Sequence, residues 1–175
     1  MAVYDLNNIS FLMHDIEKTL TKINSLYRVT FNETETTYYP KRIANNSKPW
    51  TSTETNEVFN KIIPEVKSLH KDMYSIIESI SKAKKGIFKK EDLEKRFDNF
   101  KEFRILNNKF KHFNNQQADI NLTQIVVMEH EQHLIDIYVN FKYNDNFKTC
   151  RYCEFIDTFL KIMKGLSIIR VDTSS

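Results

Sequence analysis

Arg104, Asn108 and His112 follow one another at i, i+4 spacing in the stretch Phe103-Arg104-Ile105-Leu106-Asn107-Asn108-Lys109-Phe110-Lys111-His112. On a helix such residues stack on one face, drifting about 40° per step. Arginine carries a permanent charge whose planar fork matches phosphate oxygens. Histidine exchanges a proton near neutral pH, and asparagine can orient either partner. Together they suit cleavage of a phosphodiester such as RNA, with Arg104, Asn108 and His112 catalytic and Asn107, Lys109 and Lys111 contacting substrate. The competing account is plain helix chemistry, because basic residues in a last turn stabilise its free carbonyls.

Two other constellations are chemically suggestive. His130-x-x-His133 and Cys150-x-x-Cys153 supply four zinc-type ligands, but their order and spacing match no standard finger. The cysteines read better as small apolar residues on a packed face. No metal ligand and no cofactor is therefore expected. Basic residues also interleave with aromatics from Lys84 to Lys111, yet Glu91, Asp92, Glu94, Asp98 and Glu102 lie among them. Pairing at i, i+4 makes that strip read as a solvated helix face.

The elements that would position these residues follow from periodicity. Ile9, Leu12, Met13, Ile16, Leu20 and Ile23 recur at helical spacing. Residues 28–51 lose all period and read as a long exposed loop, with Trp50 either anchoring a contact or tucked inward. Ser52 or Thr53 caps a helix, and Pro64 starts a second helix or kinks the first. Its stripe of Val66, Leu69, Met73, Ile76, Ile77 and Ile80 ends at Lys84-Lys85-Gly86. The stretch 90–114 carries Leu93, Phe97, Phe100, Phe103, Leu106, Phe110 and Phe113 as an aromatic seam. Residues 121–143 form a β-hairpin turning at Glu129 to His133, with Ile135, Ile137, Val139, Phe141 and Tyr143 on one face. Asp136, Asn140 and Lys142 take the other. A last helix runs from Phe147 through Cys150, Cys153, Ile156 and Phe159 to Gly165.

Composition agrees with one domain spanning residues 1–175. The length supports a proper core, and 13 Phe and 8 Tyr offset an apolar share of 41%. Only two Gly and three Pro leave room for few tight turns, which favours long helices. A net charge of +3 is too small to assign a nucleic-acid or membrane partner from bulk charge. No basic, then apolar, leader opens the chain and no long apolar run crosses a bilayer, so a cytoplasmic protein is expected. The fold expected is mainly α: an up-down bundle of four to five helices with an appended C-terminal β-hairpin and final helix.

Asn108-Lys-Phe-Lys-His112, late in a helix of a small bundle, resembles the Arg-Asn-x-x-x-His segment of HEPN domains. These helical proteins are common in prokaryotic toxin–antitoxin and anti-phage systems, and many are dimeric, metal-independent ribonucleases. The resemblance implies a polar role for Asn108, a catalytic role for His112 and a homodimer through the helix 90–114. It departs at position 107, where Asn107 replaces the motif arginine and Arg104 is the nearest substitute, one turn earlier. Two functions follow as expectations: an RNA-acting, metal-independent ribonuclease of a defence system, or a non-catalytic HEPN-like module engaging a partner protein.

Overall fold

The computed structural model describes residues 6–45, 52–83, 90–112 and 119–165. The chain is not a mainly α bundle. Among the described residues there are five helices and six strands, the strands in two antiparallel sheets. In order these are α1 (Leu6–Leu26), β1 (Tyr27–Phe31), β2 (Thr36–Pro40), β3 (Ile43–Asn45), α2 (Ser52–Ala83), α3 (Lys90–Arg96), α4 (Phe100–Lys111), β4 (Asp119–Glu129), β5 (Gln132–Tyr143), β6 (Asn146–Arg151) and α5 (Tyr152–Gly165).

Three expectations fail for identifiable reasons. The supposed loop after Arg28 is largely strand. Thr30, Phe31, Thr36, Thr37, Tyr38 and Tyr39 are β-branched or aromatic, types that suit a pleated surface. Its Asn32 N–H donates to Glu35 O at 2.8 Å to close the hairpin. Threonines dilute the alternation, so a hydrophobicity pattern misses it. The helix 90–114 is broken at Asp98-Asn99, where Asn99 adopts φ 67°. Asp and Asn compete with the helical backbone, and Asn tolerates this left-handed geometry. Residues 146–151 are strand rather than the start of the last helix, because they pair with β5 from Tyr138↔Arg151 to Tyr143↔Asn146. Glu154 Oε2 then accepts the Arg151 N–H at 2.6 Å, holding the chain where α5 begins.

The hairpin β4–β5 is as expected, pairing from Asp119↔Lys142 to Glu129↔Gln132. Its two-residue turn places His130 at φ 47° and Glu131 at φ 63°. β5 is the central strand, with β4 along one edge and β3 and β6 sharing the other. Ile135, Ile137, Val139 and Phe141 form the buried face of β5. They share one core with Leu69 and Met73 of α2, Phe103 and Leu106 of α4, and Phe155 and Phe159 of α5. Each such side chain contributes about 1.5–3 kcal/mol by leaving water.

Pro64 lies inside a continuous 32-residue α2, so no new helix starts there and the chain follows the continuing-helix alternative. Phe100, Phe103 and Leu106 are all buried within the chain, which places much of the aromatic seam in its own core. None of the described helices is long and apolar enough to cross a membrane. Trp50, the helix end at Lys84-Lys85-Gly86, and Phe113 lie outside the described residues.

Candidate functional site

Arg104 and Asn108 lie four residues apart on α4, and His112 follows as its C-cap. Arg104 is half-buried, and its Nε and a terminal guanidinium nitrogen each meet Glu94 Oε1 at 2.9 Å. The turn at Asp98-Asn99 makes this possible by folding α3 back beside α4, so that residues ten apart meet. Charge that would have gripped a phosphate is already matched by a carboxylate. Asn107 is fully buried, and both atoms of its amide lack a hydrogen-bond partner among the described residues. An arginine at that position would place an unpaired guanidinium in the core, at a cost of several kcal/mol. Asn108 and Lys109 are half-buried, whereas Lys111 and His112 are exposed at the end of α4. His112 is the C-cap, its backbone N–H donating to Asn108 O at 2.9 Å.

The C-terminal half of α4 instead meets α2, and lysines gather along the seam. Lys67, Lys71 and Tyr74 lie at i, i+4 and i+7 on one stripe of α2. Lys67 Nζ sits 5.9 Å from the ring centre of Phe110, and Lys111 Nζ sits 5.8 Å from that of Tyr74. Lys71 lies between these two contacts along the stripe. None of Lys67, Lys71 or Lys111 has a carboxylate in ion-pair reach among the described residues. Glu78, one turn beyond Tyr74, has an interaction of its own. Lys67 and Lys71 were not legible as site residues, since only α4 packing beside them turns their spacing into a patch.

Beneath this seam His70 is completely buried. Its Nε2–H donates to Phe103 O at 2.8 Å, since a carbonyl can only accept, and Nδ1 takes the Tyr152 hydroxyl at 3.1 Å. Burial pulls its pKa down to about 4, against the raising effect of the Phe103 carbonyl. The ring is therefore neutral at pH 7 and packs 4.3 Å from Phe103 and 5.6 Å from Phe110. It ties α2, α4 and α5 together and sets how the lysine-bearing surfaces meet.

A second polar cluster lies under the β1–β2 hairpin. Asp136 was expected on the solvent face of the hairpin but is buried. It accepts from the Tyr27 hydroxyl at 2.9 Å, from Arg151 Nε at 2.6 Å and from the Ile137 N–H at 3.0 Å. Arg151 also donates to Tyr38 O at 2.9 Å, and the Tyr38 hydroxyl donates to Asp157 at 2.8 Å. Burial pushes the Tyr27 phenol well above its usual value, and the adjacent Asp136 carboxylate adds to the shift. A cavity of about 410 Å³ adjoins the cluster, walled by Arg96, Arg151 and Lys161 against Asp98, Glu154 and Asp157. Those charges balance in number.

The four zinc-type residues are not brought together. His130 is at the hairpin tip and His133 pairs there with Met128, whereas Cys150 pairs with Val139, six residues along β5. At about 3.3 Å per residue the two pairs are on the order of 20 Å apart. Burial raises the thiols to about 11 for Cys150 and about 12 for Cys153, which keeps both protonated at neutral pH. No family model matches the chain, nor does any curated protein or solved structure.

Proposed function

We propose that this protein binds RNA through its phosphate backbone and does not cleave it. The observation that carries the reading is a contrast within α4. Arg104 is neutralised by Glu94, while Lys111, with Lys67 and Lys71 of α2, has no carboxylate among the described residues. Unpaired lysines attract phosphate and release its counterions, whereas a general acid/base without a phosphate clamp leaves cleavage slow. HEPN-like descent accounts for Asn108 and His112 remaining in place, and a cytoplasmic location accords with an RNA partner. The test is incubation of purified protein with structured RNA in EDTA, beside His112→Ala. Both proteins are expected to retain RNA on a filter and to leave it intact. Cleavage by the parent that disappears in His112→Ala would show a ribonuclease instead.

A second reading, a module for a partner protein, is favoured by β4. Among the described residues this strand of 11 residues pairs with β5 alone. Ile125, Val127 and Met128 are exposed beside its open edge. Such an edge accepts a further strand by main-chain hydrogen bonding.

A further inference from the structure

We infer that the seam between α2 and α4 takes the backbone of a duplex rather than a single strand, an inference that rests on the RNA-binding reading. Proteins that hold single strands rely on exposed aromatic rings on which bases stack. At this seam the aromatic rings are occupied. Tyr74 is only 3% exposed, and Phe110 is half-buried with Lys67 above its ring. What faces outward is ammonium, a point charge with no fork for reading a base edge.

Charge density favours the same partner. Seven residues separate Lys67 from Tyr74, which is about 10 Å along the helix axis. Over that length a duplex presents roughly six phosphate charges and a single strand roughly three. The cations Lys67, Lys71 and Lys111 meet a denser row of phosphates on a duplex than on a single strand. Contact confined to phosphates predicts binding without sequence preference and with steep salt dependence. For three lysines the log–log slope of affinity against salt is about −2.7 on a duplex and about −2 on a single strand.

The test uses the full chain and fluorescence anisotropy with a labelled 20-base-pair RNA duplex, one of its strands alone, and a DNA duplex of the same sequence. Tighter binding of duplex RNA than of the single strand, with a slope near −2.7, is expected. Duplex DNA binding alongside duplex RNA supports contact through phosphates alone. Reversing the charges together as Lys67→Glu, Lys71→Glu and Lys111→Glu should weaken duplex binding roughly tenfold or more. Arg104→Ala should leave it unchanged, and the wild-type salt slope tests the idea even if the triple variant misfolds. Equal or tighter binding of the single strand overturns this inference while leaving the RNA reading intact. Failure to bind any of the three nucleic acids overturns both.

Discussion

Two charged regions of this molecule obey opposite rules. Under the β1–β2 hairpin, buried Asp136 is closely paired with a half-buried Arg151, and Tyr27 and Tyr38 complete their hydrogen bonding. Along the α2–α4 seam Lys67, Lys71 and Lys111 face outward with no carboxylate partner among the described residues. A buried ion is tolerated only when its partner is in place, so the first region is architecture. Clustered exposed cations repel one another, which works against folding. The second region is therefore where a ligand has something to gain. Arg104 belongs with the first kind although its sequence neighbours belong with the second.

The strongest way to break the comparison is Asp136→Ala, which takes the carboxylate from Arg151 and the acceptor from the buried Tyr27 hydroxyl. It should cost about 3–5 kcal/mol in urea unfolding. A loss below about 1 kcal/mol, the range of a surface pair, would remove the distinction between the two regions.

His70 sharpens the comparison by pH. Its folded pKa, about 4, is below the unfolded value of 6.5, so the neutral ring is favoured in the folded state. The stability it contributes is complete above pH 6.5 and is lost as pH falls through 6.5 toward 4. Across that window the loss is on the order of 3 kcal/mol. His70→Phe should flatten the drop in urea midpoint over those pH values. An undiminished drop in that variant would assign it to other groups.

The smallest effect concerns Asn107. Replacing its buried amide, unpartnered among the described residues, by Asn107→Leu should raise stability by about 1–2 kcal/mol, read as a higher urea midpoint. A clear fall would mean that this amide is satisfied in solution, and position 107 would then rejoin the polar site.

What could be read in the sequence was periodic. Ile135, Ile137, Val139 and Phe141 alternate, and the β4–β5 hairpin follows. Ile16, Ile23, Leu69 and Met73 recur at helical spacing, and α1 and α2 follow. Where polar residues shape the chain, periodicity was silent: the threonine-rich β1–β2 hairpin, the break at Asn99 and the strand 146–151 all escaped it. The candidate site was legible only as a list of residue types. Arg104, Asn108 and His112 share a stripe in the sequence, but no spacing rule reveals that Glu94 folds back onto Arg104.

The sequence by itself determined the apolar faces of α2 and β5, because burial of a periodic apolar face is a local property of each helix or strand, but not that Asp136 and Tyr38 leave water or that Phe147 stays in it. It also placed Lys111 and His112 near the end of a helix. Tertiary structure alone decided which charges are matched. Asp136 meets Tyr27 across 109 positions, and Lys67 comes over Phe110 only because α2 and α4 pack side by side. Electrostatic pairing depends on distance in space over a few ångströms, and that distance is set by packing rather than by order along the chain.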